Sequence, residues 1–316
     1  MLARLLRTVY LFQVLLGGVA GAYLAVQLNT QTAQPFALFL VPLGALMLPV
    51  ALQFIVIFVT MLRSRGAGEF GPWWRALWGE FGAALLIFVL RQPWPNRNRG
   101  VLMPMRVDAQ QPGVPVLLVH GYLCNHRVWD KVAKALQDAG HPVLAMDLEP
   151  LFTSIDDYVA LVERAVAELL TASGAEKLAL VGHSMGGLAI RAWMRAHGSA
   201  RVARVITLGT PHLGTQIARA AMTPNGAQMV WRSNWVNELQ EAEPATQRAR
   251  WHIALTRHDN IVYPQREQVL AGANVTEFAG MGHLQMCLSP EVIAWLVQTL
   301  GADSMPVTSA SSTNSA

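Results

Sequence analysis

Two kinds of hydrophobic pattern divide the chain. From Thr8 to Leu62 no Asp, Glu, Lys or Arg occurs, and two apolar runs, residues 8–28 and 36–62, are separated by the polar, turn-forming sequence NTQTAQP. Because about 20 apolar residues span the hydrocarbon core of a bilayer, each run is long enough for a transmembrane helix. The pattern therefore predicts an N-terminal transmembrane helical hairpin. The alternatives are a buried soluble hairpin and a cleavable signal peptide, which would account for the first run only.

A third apolar stretch, residues 73–90, is interrupted by charge. Its sequence WWRALWGEFGAALLIFVL contains Arg75 and Glu80, so only the part from Phe81 to Leu90 is uninterrupted. That part is short for a membrane span, and the pattern favours a helix in the membrane interface with its three tryptophans at headgroup level. A crossing helix is the alternative, and it would place the following domain in the periplasm. With the hairpin, this stretch completes a membrane region over residues 1–91.

Beyond residue 91 the pattern changes to short apolar runs that alternate with amphipathic segments. Residues 92–114 are predicted as a linker with a leading strand, and residues 115–300 as one α/β domain. Strands are expected at 116–120, 143–147, 178–182, 205–208, 252–256 and 275–278, and helices at 128–139, 155–171, 185–196 and 291–300. This alternation predicts a mostly parallel sheet with helices on both faces.

Two segments depart from the alternation. Residues 213–250 contain two tryptophans and the turn-forming Pro224-Asn225-Gly226. They are predicted either as a lid or channel wall above the strand ends or as a crossover helix with a long loop. Residues 301–316, GADSMPVTSASSTNSA, are small and polar, and this composition predicts a disordered tail.

Composition and charge narrow the classes of function. Hydrophobic residues make up 53% of the chain and charged residues 14%, against about 25% charged in typical proteins, which excludes a disordered protein. Nine Arg and two Glu give residues 1–106 a charge of +7, whereas residues 107–316 carry −3. The Arg residues flank the apolar runs, so no nucleic-acid partner is expected.

The positive-inside rule places both ends of the hairpin in the cytoplasm, which predicts a bacterial inner-membrane protein with a cytoplasmic α/β domain; a periplasmic domain is the alternative.

One short motif carries a nucleophile. The sequence Gly182-His183-Ser184-Met185-Gly186 follows the apolar run LALV and precedes a predicted helix. This is G-x-S-x-G in the strand–turn–helix context of a nucleophile elbow, in which a strained turn projects the Ser hydroxyl above the sheet. Gly182 and Gly186 leave room for that turn because they carry no Cβ. Ser184 is therefore the predicted nucleophile.

The acid and base follow by elimination. In hydrolases built on this turn, the acid and then the His come after the Ser along the chain. Asp259 lies in the run RHDNIV directly after the predicted strand HIALT, and His283, in GMGHL, is the only one of nine His beyond it. Both positions are loops at strand ends, where catalytic groups cluster in open α/β sheets. We therefore predict a Ser184–His283–Asp259 triad. Five glutamates are weaker acid candidates, because none of them directly follows a strand: Glu238, Glu241, Glu243, Glu267 and Glu277.

An oxyanion hole needs two backbone N–H groups aimed at the tetrahedral oxygen. One is predicted to be the N–H of Met185, the residue after the nucleophile. The other is expected from the loop after the first core strand, His120-Gly121-Tyr122-Leu123, with the N–H of Tyr122 as the best candidate.

These residues carry a family resemblance. From about Pro115 to Leu300 the chain resembles the α/β-hydrolases of the bacterial lipase and esterase group, on the segments LLVHGYLCN, GHSMGG, TLGTPHLGT, HDNIVYP and GHLQM. The resemblance implies an α/β-hydrolase fold and hydrolysis of a carboxylic ester through an acyl-enzyme. The N-terminal hairpin departs from secreted lipases, so an ester-bearing membrane lipid or acylated metabolite is the expected substrate.

Several alternatives remain open at this point. An acyltransferase or thioesterase would use the same triad, and a non-catalytic membrane-bound binding module would need none of it. No H-E-x-x-H, P-loop or G-x-G-x-x-G motif occurs, so no metal and no cofactor are expected. Cys124 and Cys287 form a disulfide only if the domain is periplasmic and otherwise are free thiols. The residues that bind the substrate and the oligomeric state are not predicted.

Overall fold

The fold is described from a computed structural model of the chain. The structure describes residues 1–32, 37–66, 70–94, 100–104 and 113–301. The predicted tail beyond Gly301 and most of the predicted linker fall outside these ranges.

The N-terminal region consists of three helices. Helix α1 covers Leu2–Thr32 and helix α2 covers Ala37–Arg63. Helix α3 covers Phe70–Ala84 and continues into a π-helical turn, Leu85–Arg91. The predicted span at 8–28 thus lies within α1, which begins six residues earlier. The predicted span at 36–62 coincides with α2 from residue 37 onward, and residue 36 lies outside the described residues.

Glycines bring α1 and α2 into close antiparallel contact. A Cβ on Gly17 would lie 2.2 Å from the Gly44 carbonyl oxygen, and one on Gly21 would lie 2.1 Å from the Leu40 carbonyl oxygen. Small residues four apart let two membrane helices approach until their backbones touch. The outward faces of the pair are apolar and exposed, as at Phe12 and Leu38.

Three described segments are long and apolar enough to cross a membrane: Leu2–Leu28, Ala37–Arg63 and Gly71–Arg91. The third differs from the other two in its packing. Leu77 and Ile87 are completely buried in the same hydrophobic core as the central sheet. Trp73, expected at headgroup level, is buried instead and donates its indole N–H to the Met61 carbonyl oxygen at 3.0 Å. Helix α3 therefore packs as a layer of the α/β domain, with Trp78 on its exposed side.

The α/β domain contains a six-stranded parallel sheet. Its strands are β1 Val116–Val119, β2 Val143–Met146, β3 Leu178–His183, β4 Val202–Leu208, β5 Trp251–Thr256 and β6 Asn274–Phe278. Their order across the sheet is β2-β1-β3-β4-β5-β6. The predicted parallel sheet is confirmed, and β4 begins three residues before its predicted start. In place of the strand predicted within residues 92–114, the described residues form one isolated antiparallel bridge. In it, Leu102 and Val143 exchange two backbone hydrogen bonds, at 2.8 and 2.9 Å.

Helices cover both faces of this sheet. They are α4 Asp130–Asp138, α5 Val159–Ser173, α6 Met185–His197, α7 Pro224–Gln228, α8 Asn234–Glu241 and α9 Pro290–Gly301. Successive side chains of β1 point to opposite faces of the sheet and contribute to the hydrophobic core on each face. Val116 and Leu118 pack with α3, α4 and α9, whereas Leu117 and Val119 pack with α5 and α6. The segment 213–250 contains α7 and α8 with a short 3-10 helix on either side, Gln216–Ala220 and Ala245–Arg250.

Candidate active site

Ser184 occupies a strained turn between β3 and α6. Its backbone has φ +55° and ψ −130°, a region that non-glycine residues adopt only when the surroundings enforce it. Those surroundings require glycine. A Cβ on Gly182 would lie 2.6 Å from the Gly187 nitrogen, and one on Gly186 would lie 2.1 Å from the Val119 carbonyl oxygen. The turn has the geometry predicted for a nucleophile elbow.

Asp259 and His283 form a buried hydrogen-bonded pair. The Asp259 Oδ2 atom lies 2.8 Å from His283 Nδ1, and both side chains are almost fully buried. The other carboxylate oxygen of Asp259 accepts the backbone N–H groups of Ile261 at 2.9 Å and Val262 at 2.7 Å. These bonds fix the carboxylate so that it holds the Nδ1–H tautomer and leaves Nε2 as a proton acceptor.

The electrostatics of the pair suit a general base. Burial lowers the pKa of the His283 imidazole, and the Asp259 carboxylate more than offsets it by its charge and its hydrogen bond, so the pKa lies above its ordinary value. The neighbouring His183 ring, 4.5 Å from that of His283 between centroids, donates from Nε2 to the His283 carbonyl oxygen at 3.2 Å. Burial and the His283 charge hold the pKa of His183 well below its usual range. His183 is therefore a neutral residue that positions the loop.

A residue that the sequence did not single out, Glu80 of α3, anchors the same loop. Its two carboxylate oxygens accept the backbone N–H groups of Leu284 and Gln285, each at 3.0 Å, and only 1% of its surface is exposed. A Cβ on Gly282 would lie 2.6 Å from Glu80 Oε2, so the loop fits closely against this side chain. The available signal was a carboxylate in the apolar stretch 73–90, which is costly unless it has partners.

The predicted oxyanion loop also lies against Ser184. A Cβ on Gly121 would be 2.6 Å from the Ser184 Cβ, so this approach requires glycine. His120 holds the loop, because its Nδ1–H donates to the Gly121 carbonyl at 2.9 Å and its Nε2 accepts the Leu148 N–H at 3.0 Å. Met185 is the first residue of α6, and Tyr122 lines the same cavity as Ser184. The two N–H groups predicted for the oxyanion hole thus belong to the two segments that flank the nucleophile.

The cavity at this site has a volume of about 410 Å³. Ser184, His283 and Tyr122 line it together with side chains of α1, α2 and α3 and of the loops that carry Asp259 and His283. The C-terminal end of α2 is also hydrogen-bonded to the loop that carries Asp259. Asn260 donates its side-chain N–H to Thr60 Oγ1 at 3.0 Å, and Gln265 donates its side-chain N–H to the Ser64 carbonyl oxygen at 2.9 Å. The segment 213–250 reaches the edge of the site, where Thr223 Oγ1 lies 3.4 Å from the Tyr122 hydroxyl.

The two cysteines are further residues that could act as nucleophiles or bind a metal ion. Cys124 and Cys287 are free and buried. Burial raises the pKa of the Cys124 thiol to about 12, so it is not a thiolate near neutral pH. Among the described residues, no group of three His, Cys, Asp or Glu side chains is arranged to hold a metal ion.

Comparison with known proteins identifies the architecture. Residues 114–264 match the family model described as alpha/beta hydrolase fold. That range includes Ser184 and Asp259, whereas His283 lies beyond it. Over 113 residues, 33% of this chain, the sequence is 36% identical to a triacylglycerol lipase of Pseudarthrobacter phenanthrenivorans and to one of Burkholderia plantarii. The matched segment spans 35% and 31% of those two proteins, about a third of their length.

Solved structures agree at the level of the fold. The mature form of Bacillus licheniformis lipase BlEst2 superposes with a TM-score of 0.52 at 19% identity and covers 60% of this chain and 94% of its own. Aspergillus fumigatus lipase B also gives a TM-score of 0.52, at 17% identity, and covers 64% of this chain and 56% of its own. The sheet, the elbow and these matches together show that the chain has the α/β-hydrolase fold.

Proposed function

We propose that this protein is a membrane-anchored serine hydrolase that cleaves carboxylic esters, with lipid-like substrates. The observation that carries the proposal is the buried Asp259–His283 hydrogen bond of 2.8 Å beside Ser184, which lies on a strained strand-to-helix turn. The two lipases similar over 113 residues support an ester substrate.

The proposed reaction gives each of these groups one role. His283 Nε2 accepts the Ser184 hydroxyl proton as Oγ attacks the ester carbonyl carbon, and Asp259 stabilises the resulting imidazolium. The tetrahedral oxyanion is bound by the backbone N–H groups of Met185 and Tyr122. His283 then gives its proton to the leaving alcohol, and the acyl group remains on Ser184. A water molecule attacks this acyl-enzyme as His283 accepts one of its protons. The bond between the acyl group and Ser184 Oγ then breaks, His283 returns the proton to Oγ, and the carboxylic acid is released.

The arrangement of the hairpin supports membrane anchoring with the catalytic domain on the cytoplasmic side. The first turns of α1 and the last turns of α2 both contribute to the cavity at Ser184, so the two ends of the hairpin lie on the same side as the catalytic domain. Arg4, Arg7, Arg63 and Arg65 are at these ends, and basic residues flanking a span favour the cytoplasm. Helix α3 stays with the catalytic domain because Glu80 bonds to the His283 loop.

The direct test compares wild type with Ser184→Ala in detergent, using p-nitrophenyl esters of increasing chain length. We expect turnover that is lost in Ser184→Ala, and an unchanged melting temperature because one hydroxyl is removed. Product analysis separates the hydrolase from an acyltransferase: the free acid is expected as the main product in water, even when an alcohol or thiol acceptor is added. A folded protein with no turnover, in which a fluorophosphonate does not label Ser184, would refute the proposal and favour a binding module.

A further inference from the structure

The N-terminal hairpin supplies ten of the 22 residues that line the cavity at Ser184. We propose that α1 and α2 form the binding site for the acyl chain, and that a lipid resident in the bilayer places its chain between them while its ester carbonyl reaches Ser184. This inference rests on the proposed function and adds to it the origin of the substrate and the residues that select its chain.

The helix periodicity supports a continuous binding face. The cavity-lining residues of α1 are Leu6, Val9, Tyr10 and Gln13. Those of α2 are Pro49, Leu52, Gln53, Val56, Ile57 and Thr60. Both sets follow the i, i+3, i+4, i+7 spacing of one helix face. At 1.5 Å per residue, the α2 face extends for about 16 Å away from the catalytic end, which gives an elongated apolar groove suited to an acyl chain.

The groove opens on the lipid-facing side of the hairpin. Val56 and Val9 line it and yet keep 62% and 40% of their surface exposed. They are flanked along the same helices by exposed apolar residues such as Phe12 and Ile55, which face hydrocarbon when the hairpin spans the membrane. A chain leaving the bilayer would therefore pass from lipid to groove without crossing water, so its apolar surface stays out of water throughout.

Two unpaired polar atoms lie along the groove. The side-chain oxygens of Gln13 and Gln53 are buried and accept no hydrogen bond. An unpaired acceptor is costly at membrane depth, where no water satisfies it. A hydroxyl or N–H group on the bound lipid would supply the missing donor. The groove therefore fits an acyl lipid that carries such a donor better than a pure hydrocarbon.

Two matched variants on α2 test this inference. Val56→Trp places a bulky side chain in the groove, whereas Val59→Trp places the same side chain on an exposed position one turn away that does not line the cavity. Each protein is reconstituted into phosphatidylcholine vesicles and assayed with p-nitrophenyl acetate from water and p-nitrophenyl palmitate in the bilayer. We expect the ratio of kcat/KM for palmitate to that for acetate to fall at least about tenfold in Val56→Trp and to stay at the wild-type value in Val59→Trp.

Several results would overturn the inference. An unchanged ratio in Val56→Trp, or an equal fall in both variants, would show that the chain does not lie along this face. The failure of ester hydrolysis itself is a separate outcome: wild type would then turn over neither ester. In that case the same ratio is measured with short-chain and long-chain alkyl fluorophosphonates, whose labelling of Ser184 needs no turnover. An unchanged labelling ratio in Val56→Trp would refute the groove, and a tenfold fall would support it.

Discussion

Replacing Glu80 tests how far the N-terminal region supports catalysis. Its two carboxylate oxygens accept the backbone N–H groups of Leu284 and Gln285 at 3.0 Å inside the protein. A buried donor left without an acceptor costs about 1–3 kcal/mol. In Glu80→Gln one oxygen remains and an amide N–H₂ faces the second donor, so we expect the free energy of unfolding to fall by about 1–3 kcal/mol. In Glu80→Ala both donors are left unpaired, and the loss should be up to twice as large.

The catalytic effect should exceed the effect on stability. His283 directly precedes Leu284, so releasing these bonds shifts the imidazole relative to Ser184, and a misplacement of about 1 Å costs about 10²-fold in rate. We expect kcat for p-nitrophenyl acetate to fall about 10- to 100-fold in Glu80→Gln, with a much smaller change in KM because Glu80 holds the base and not the acetyl group.

Steady-state kinetics, the rate of fluorophosphonate labelling of Ser184 and a denaturant titration provide the measurements. Glu291→Gln, at an exposed glutamate in the first turn of α9, is the matched control and should resemble wild type in all three. The reasoning is refuted if Glu80→Gln keeps the wild-type kcat and labelling rate. It is equally refuted if activity falls only in proportion to the folded fraction.

Three further perturbations have defined outcomes. Asp259→Asn should lower kcat/KM by about 10⁴. Because the Asp259 carboxylate raises the pKa of His283, the acidic limb of the pH–rate profile should also move to lower pH in this variant. An acidic limb that does not move would contradict this role of Asp259. Gly121→Ala places a methyl group 2.6 Å from the Ser184 Cβ and should reduce Ser184 labelling, whereas Gly82→Ala, with no described neighbour within 4 Å, should not. Gly17→Ala puts a Cβ 2.2 Å from the Gly44 carbonyl oxygen, whereas the Cβ of Gly18→Ala makes ordinary contacts at 3.9 Å. The melting temperature in detergent should therefore fall for Gly17→Ala only. Equal melting temperatures for the two variants would argue against close packing of α1 and α2.

Local sequence patterns were sufficient for much of the fold and for the selection of the triad candidates. The alternation of apolar runs predicted the strands because a strand buried on both faces has a continuous apolar sequence. The elbow was recognisable because its glycines and serine lie within five consecutive residues, 182–186. Asp259 and His283 were selected by chain order, and they lie within hydrogen-bonding distance of each other; the catalytic roles of all three residues stay predictions.

What the sequence did not reveal depends on contacts between distant parts of the chain. Glu80 bonds to a residue 204 positions away, and no local periodicity records such a pairing. For the same reason Trp73 was expected at the membrane surface: its apolar stretch is equally suited to lipid and to the side of a sheet, and only the tertiary structure distinguishes the two environments. The wall that α1 and α2 form around the cavity was missed because each helix was interpreted only as an anchor.

The bond between Glu80 and the His283 loop also has a consequence for biosynthesis. Residue 80 leaves the ribosome soon after the hairpin, whereas its partner Leu284 is translated 204 residues later. The contact between Glu80 and the His283 loop can therefore form only after the whole hairpin has been synthesised. We expect a nascent chain that stops before residue 284 to be inert toward a fluorophosphonate even with Ser184 in place, so that the proposed ester cleavage begins only after the proposed membrane hairpin is complete.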